Sequence, residues 1–441
     1  MLDAFHVPGP VDVGRVLEAA SSESPVEAVA AVARELGAVF DAAAVSFLIA
    51  DLSGRALVRL AHVPLVGGKA DVRIALGRAE RRDLEESATV LPFDGGPADQ
   101  AVRTQAVQVL TPDSAQAGDG ARGWWRVLAP VTERGESIGL LELFLEDEPA
   151  PQTVAEIGQV AHLLAFVVIA NQRHTDLFEW GQRSRSFSLS AEIQQRLLPG
   201  PRTCEAAAFT LSGWLEPAAS IGGDTLDYSL DRDVLHLSLT DAMGHGVGAA
   251  LTASLCLGSL RGGRRSGATL LEQATETNRA LADQAANQGL DDFVTGLLAR
   301  VDLRTGTCEM VNAGHVAPYL ARGTEVTALE LPADLPFGLF PDTQYRSTRV
   351  TLRPGDRVVL VTDGMLERNL GPVDLLEAIA DSRELHPREV VRALADSALE
   401  ASGHLLSDDA TILCLDWHGT HDQERSVVAG ADPDRASDPL V

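Results

Sequence analysis

Apolar residues recur along the chain in two rhythms, and the changes of rhythm mark its elements. In SPVEAVAAVARELGAVF, Val26, Val29, Val32 and Leu36 fall on one helical face, behind Ser24 as N-cap and Pro25 at the first helical position. AVSFLIAD and ALVRLAHV read as strands around the turn Asp51–Gly54. RVLAPVTERGESIGLLELFLED predicts a hairpin that turns over Glu133–Glu136, and a helix from about Thr153 to Gln172 closes this unit. Helix, antiparallel strands and helix make an α+β domain over residues 1–172.

Residues 173–200 are polar, with Leu177, Phe178, Phe187, Ile193 and Leu197 at helical intervals and Pro199-Gly200 as the stop. They predict a connecting helix that either pairs with a second copy of itself, which would make a homodimer, or packs on its own domain. From residue 201 strand signals become dense: VLHLSLTD, FVTGLLARVDLRTGTCEMVNAGH, RVVLVTDG and DATILCLDW. Helical patterns lie between them, at 247–260 and 268–285. Antiparallel sheets flanked by helices are expected over 201–418. Residues 419–441 have no periodicity and are expected to be a disordered acidic tail.

Composition narrows the function classes. A chain of 441 residues with 45% apolar content predicts two or three packed domains. Its net charge of −27 speaks against nucleic-acid binding, which needs clustered Lys and Arg, and against an anionic membrane surface. Cys204, Cys256, Cys308 and Cys414 are scattered, with no C-x-x-C pair, which points away from zinc and disulfides and toward a reducing cytoplasm. The start, MLDAFHVPGP, is not a signal peptide. The most apolar run, Leu163–Ala170, is far shorter than the ~20 residues of a membrane span and reads as a buried helix.

Chemistry enters with the aspartates. Asp224 follows a glycine pair in IGGDTLDY, and Asp241 ends a strand and enters the turn AMGHGVG. Asp363 ends RVVLVT before Gly364, while Asp408 and Asp409 precede ATILCL. One Asp-Gly is an ordinary turn, but four segments each offer a carboxylate at a strand mouth. If they converge, their repulsion requires a cation, and an all-oxygen site suits Mg²⁺ or Mn²⁺. Two such ions side by side can activate water for in-line attack on phosphorus.

Two resemblances follow from these stretches. APVTERGESIGLLEL resembles the late hairpin of GAF domains, which are small ligand-binding or dimerising sensor modules, and the likeness covers about residues 10–172. It implies a small ligand of unknown identity; the absence of cysteine there argues against a linked bilin. The chain from about 201 to 418 resembles the PPM (protein phosphatase 2C) superfamily in its bacterial SpoIIE/RsbU-like branch. The likeness rests on EIQQRLLPG, IGGDTLDY, LTDAMGHGVGAAL, NAGHVAPYL, LPFGLF, VVLVTDGMLERN and SDDATILCLD in that order.

This second resemblance implies a Ser/Thr phosphatase with two Mn²⁺ or Mg²⁺ ions, built on a β-sandwich flanked by helices. Asp224 and Asp241 would bridge or bind the pair, the Ala242 carbonyl would add a backbone ligand, and Asp363 and Asp408 would bind one ion directly or through waters. Asp409 stands where the superfamily often has Asn, so it ranks below Asp408. Thr240, Gly223 and Gly364 would shape the site. The implied substrate is a phosphorylated protein, an anti-sigma-factor antagonist.

The chain departs from the pattern in places. Asp224-Thr225-Leu226-Asp227 lacks the two usual aromatics, and Asp227 is read as a structural acceptor. Met243 and His245 replace Ser and Lys, so the histidine that serves some relatives as general acid is absent. His245 and His315 read as loop and turn residues rather than catalytic ones, and Arg368 is a candidate phosphate contact. Two other readings stay open: a catalytically weak phosphoprotein-binding scaffold, which the missing aromatics support, and a metal-dependent hydrolase of small phosphate esters or nucleotides.

Overall fold

The protein is described from a computed structural model over residues 11–51, 56–64, 90–92, 95–114, 123–182, 188–217, 222–289, 292–366, 372–403, 406, 408–420 and 425–440. It divides into two units, one of residues 1–186 with 426–441 and one of 187–425.

In the first unit, helices α1 (Val13–Ser22) and α2 (Ala28–Val39) precede β1 (Ala44–Ala50), β2 (Ala56–Pro64) and β3 (Val90–Pro92). Then come α3 (Pro97–Thr104), β4 (Gln108–Leu110), β5 (Trp125–Glu133), β6 (Glu136–Leu145), α4 (Pro151–Asn171) and α5 (Leu177–Gly181). The strands form one antiparallel sheet in the order β3-β2-β1-β6-β5-β4. The predicted hairpin turn is present, with Arg134 and Gly135 both at positive φ, as a two-residue hairpin requires. Most of the predicted Asp51–Gly54 turn lies outside the described residues, although Asp51 Oδ1 accepts the amide of Ala56 where the strands meet.

Helix α4 is 21 residues long and apolar enough, at a mean hydropathy of 1.8, to match a membrane span by length and composition. Its Ile157, Val160, Ala161, Leu164, Ala165 and Val168 instead pack with Phe47, Ile49, Val127 and Leu141 in the core of this unit. The Leu163–Ala170 run is part of a helix as predicted, but only one face is buried: Leu164, Ala165, Val167 and Val168 are buried while Phe166 is 47% exposed.

The second unit opens with α6 (Leu189–Leu197), β7 (Thr203–Glu205), β8 (Phe209–Glu216), β9 (Asp224–Leu230) and β10 (Val234–Ala242). Helices α7 (Gly246–Arg265) and α8 (Leu270–Gln288) follow, then β11 (Val294–Asp302), β12 (Thr307–Ala313), β13 (Tyr319–Arg322), β14 (Glu325–Ala328), β15 (Ala333–Asp334), β16 (Ser347–Thr351) and β17 (Asp356–Val361). Helices α9 (Pro372–Asp381) and α10 (Pro387–Ala401) and strand β18 (Ala410–Trp417) complete it.

One sheet has the order β15-β12-β11-β10-β9, with β16 also on β12, and the other runs β14-β13-β17-β18-β8-β7. Leu226, Leu237, Leu297, Leu360, Leu413 and Trp417 join the sheets in a shared core. Helices α7 and α8 pack on the first sheet around Ala253, Cys256, Leu260 and Phe337. Helices α9 and α10 pack on the second around Ile379, Val390 and Leu394. This is the α+β sandwich flanked by helices that the sequence predicts.

Two expectations are corrected. The single connecting helix over 173–200 is instead two short helices, α5 in the first unit and α6 in the second, and residues 183–187 between them are outside the described residues. The predicted disordered tail is ordered over 425–440. Gly135 N donates to the Gly430 carbonyl, Arg103 Nε donates to the Asp438 carbonyl at 2.6 Å, and Ala431 is buried. The segment has no hydrophobic rhythm because it packs as turns, which periodicity does not detect.

Candidate active site

Strands β9 and β10 set the geometry. Their antiparallel register places Asp224 directly opposite Asp241 and Thr225 opposite Thr240. Like charges facing each other across a ladder are destabilising, so this pair carries a cost that the rest of the site must answer. Asp224 is 2% exposed. Its Oδ2 accepts hydrogen bonds from the hydroxyls of Thr362, at 2.8 Å, and Thr411, at 2.5 Å. Thr362 Oγ1 in turn accepts the Thr411 amide at 2.9 Å, which ties the end of β17 to the start of β18. Thr225 and Thr240 share a buried hydroxyl contact of 2.6 Å beneath the pair.

Two glycines allow the close approach. A Cβ on Gly223 would lie 2.5 Å from the Ala242 carbonyl oxygen, and one on Gly364 would lie 2.1 Å from the Asp409 carbonyl oxygen. Real Cβ atoms do not tolerate such contacts, so a side chain at either position would push apart two of the acid-bearing segments. The Ala242 backbone is thus brought beside Gly223, with its amide donating to the Gly223 carbonyl at 3.2 Å.

The acids of the other segments surround the pair unequally. Asp363 opens a short 3-10 turn after β17 and is exposed. Asp408 is half-buried, and its Oδ1 accepts the Asp409 amide at 2.8 Å. Asp409, ranked below Asp408 by sequence, is 1% exposed, and its Oδ2 accepts a 2.6 Å hydrogen bond from Gln194 Nε2.

The electrostatics follow from this crowding. Burial, and then the charges of Asp241 and Asp409, hold Asp224 well above the usual carboxylate range, against the pull of the Thr411 and Thr362 hydroxyls. Burial, and then the charges of Asp363, Asp408 and Asp409, push Asp241 up to about 7, with a hydrogen bond to Asp224 acting the other way. Among the described residues no three acidic, imidazole or thiol groups stand close enough to close a metal shell by themselves. An all-oxygen donor set with unbalanced negative charge fits a hard divalent cation whose remaining positions are filled by water.

Several other residues are placed by the structure. Asp227 is 3% exposed and points away from chemistry: it accepts Arg261 Nη2 at 2.8 Å and Arg264 Nη1 at 2.9 Å. This is the structural acceptor expected of it. His245, at the N-cap of α7, and Met243 are exposed. His315 is buried in the Asn312–His315 turn, where its amide donates to Asn312 Oδ1 at 2.7 Å and its Nδ1 lies 2.8 Å from Thr295 Oγ1. Burial lowers its pKa to about 4, so the ring is a neutral structural group. Arg368 lies outside the described residues.

Sequence reasoning missed Thr362, Thr411 and Gln194. The two threonines adjoin acids already singled out, in VTDG and DDAT, and that adjacency was their signal. Gln194 lies 30 residues before Asp224, inside a helix read as a connector, and nothing local marks it.

Comparisons with known proteins show what the chain is similar to. Residues 231–418 match the family model for Stage II sporulation protein E (SpoIIE). The phosphoserine phosphatase RsbU of Bacillus subtilis (strain 168) is 25% identical over 270 residues, which cover 58% of this chain and 79% of RsbU. Phosphoserine phosphatase RsbP of the same organism is 22% identical over 236 residues, covering 53% of this chain and 58% of RsbP. Among solved structures, the SiaA PP2C domain of Pseudomonas aeruginosa superposes with a TM-score of 0.42 at 24% identity, covering 46% of this chain and 85% of that one.

Proposed function

Residues 231–418 match the SpoIIE family model, and from that premise we propose that the protein is a metal-dependent protein serine/threonine phosphatase with a PP2C-type domain. The observation that carries the reading is the cross-strand pair of buried Asp224 and half-buried Asp241, with the charges of Asp363, Asp408 and Asp409 around it. Asp224, Asp241, the Ala242 carbonyl, Asp363, Asp408 and Asp409 would hold two Mn²⁺ or Mg²⁺ ions. When bound, such ions polarise the phosphoryl oxygens and lower the pKa of water at the site. The chain's own part is positioning. Thr362 and Thr411 fix one oxygen of Asp224, and Gly223 and Gly364 let the four segments meet. The buried sandwich beneath excludes water from the carboxylates' inner side.

The substrate is a phosphoserine or phosphothreonine protein. RsbU and RsbP are named phosphoserine phosphatases, and the family resemblance points to a phosphorylated anti-sigma-factor antagonist in the cytoplasm. The first unit is the GAF-like sensor of this reading. It has a small-molecule ligand of unknown identity, acts through the segment that leads into α6, and functions in a homodimer.

The test is phosphate release from a phosphoserine protein by the full chain. Release should require Mn²⁺ or Mg²⁺, stop with chelator, and fall by at least about a hundredfold in Asp241→Asn. Binding of the phosphoprotein without turnover would instead establish the scaffold reading. Turnover confined to small phosphate esters would establish the third.

A further inference from the structure

Residues 426–440 belong to the first unit although they lie at the far end of the chain. The segment brings its own structure. Val428 and Ala431 exchange both backbone hydrogen bonds, at 2.9 and 3.2 Å, around Ala429 and Gly430. The φ values of those two residues, 48° and 91°, make a tight two-residue turn. Asp432 closes a second turn: its Oδ1 accepts the Asp434 amide at 3.2 Å, and its Oδ2 pairs with Arg435 Nε at 3.1 Å. A peptide folded in advance gives up less freedom on docking.

The rest of the first unit meets this shape through the backbone. The tip of the β5–β6 hairpin touches the tip of the 428–431 turn, with Gly135 N donating to the Gly430 carbonyl at 3.1 Å. A Cβ on Gly430 would lie 2.2 Å from the Thr132 carbonyl oxygen and 2.4 Å from His162 Nδ1, so only glycine fits there. At the other end of the segment, Gln100 and Arg103 stand three residues apart on one face of α3. The Gln100 amide donates to the Leu440 carbonyl and accepts the Leu440 amide, each at 3.2 Å, as paired strand residues do. Arg103 Nε donates to the Asp438 carbonyl at 2.6 Å. The segment's large apolar side chains stay largely in solvent: Val427, Val428 and Leu440 are 53%, 58% and 47% exposed.

We propose that this strip of the first unit, from the hairpin tip to α3, is a peptide-recognition surface, and that residues 426–440 are its built-in ligand, held in cis and able to leave. The ligand class is a short peptide with a glycine-tipped turn, read through its backbone. Contacts of this kind, without a large buried apolar or aromatic anchor, give modest affinity. The tether keeps the segment in place. Arg425, directly before it, is held by buried Glu205 of the second unit, and a short tether supplies an effective concentration in the millimolar range. With the segment docked, the chain crosses between the units twice, after residues 186 and 425. Release therefore opens a peptide site on the first unit and frees one of its two links to the second. This holds whether or not the second unit is a phosphatase.

The experiment uses the full chain, its Gly430→Ala variant and a synthetic peptide of residues 426–441 with a dye at its N-terminus, and reads binding by fluorescence anisotropy. The Gly430→Ala chain cannot seat its own segment. It should bind the peptide with a Kd of about 0.1 mM or tighter, because a millimolar tether fills the site only if the segment's own affinity is better than that. The wild-type chain, whose site is filled, should bind at least about tenfold more weakly. A Gly430→Ala peptide should bind neither chain, and Val427→Ser in the full chain, at an exposed position, should behave as wild type. Hydrogen exchange of the wild type gives a second reading that needs no variant. Amides 430–432 and that of Gly135 should exchange at least about tenfold faster than those of β5 and β6, because the segment opens locally. No peptide binding by a folded Gly430→Ala chain, equal affinity in the two chains, or protection of 430–432 equal to that of β5 and β6 overturns the proposal. So does a wild-type dimer that Gly430→Ala dissociates, which would seat the segment on a second copy. If Gly430→Ala does not fold, the exchange measurement alone decides.

Discussion

Replacing Asp241 by Asn in the metal-free protein should stabilise the second unit, although it removes the residue most central to the site. The Asp241 carboxyl is pushed from its ordinary 3.8 up to about 7 by burial and by Asp363, Asp408 and Asp409. At about 1.4 kcal/mol per pKa unit this is a penalty of up to about 4 kcal/mol on the ionised form. Asp241 is half-buried and its partner Asp224 carries part of the same repulsion, so about 2–4 kcal/mol is the expected gain. The folded carboxyl keeps its proton to higher pH than the unfolded one. Between pH 3.8 and about 7 the folded state therefore binds more protons, and stability falls as pH rises across that window. The penalty is absent below it and complete above it. Thermal unfolding in EDTA should show the transition of the second unit about 5–15 °C higher in Asp241→Asn than in wild type at pH 8. The two should coincide near pH 4. That transition is identifiable as the one Mn²⁺ raises in wild type, and in the variant Mn²⁺ should no longer raise it. An Asn variant less stable than wild type at pH 8, or a gap that does not close on acidification, would refute the electrostatic reasoning.

Asp227→Asn should destabilise the second unit by about 2–4 kcal/mol, because it leaves Arg261 and Arg264 without their buried counter-charge; urea unfolding reads this, and Mn²⁺ affinity per folded molecule should stay within a few-fold of wild type. Gly364→Ala forces a Cβ onto the Asp409 carbonyl and should lower kcat by at least about tenfold with secondary structure retained, as steady-state kinetics and circular dichroism would show. Glu205 is fully buried on β7; against burial, which acts to raise it, the hydrogen bond and charge of His386 and then the charge and hydrogen bond of Arg425 bring its pKa down to about 2. Burial lowers the pKa of His386 itself, against the pull of Glu205. Glu205 therefore contributes about 3 kcal/mol above pH 4.5, lost as pH falls toward 2, and Glu205→Gln should be less stable at pH 7 by up to that amount, with the difference vanishing by about pH 2 in acid titrations.

The elements of both units were legible because their causes are local. The 3.6-residue rhythm of the helices at 247–260 and 268–285, the turn at Arg134-Gly135 and the acids at strand mouths are all set by residues a few positions apart. The candidate ligands were singled out on equally local grounds, since Asp224, Asp241 and Asp363 each stand at a strand boundary beside glycine or threonine and Asp409 stands directly before β18. The contacts that make them a site were not. The register that faces Asp241 with Asp224, the threonines that share one oxygen, the arginines that withdraw Asp227, and the glutamine on α6 all join segments far apart in the chain. The docked segment 425–440 is of the same kind, since its partners lie between 220 and 340 residues earlier. Side-chain periodicity reports which face of an element is buried, but not against what. Which polar groups meet is decided only when the sheets pack and buried donors and acceptors must find one another.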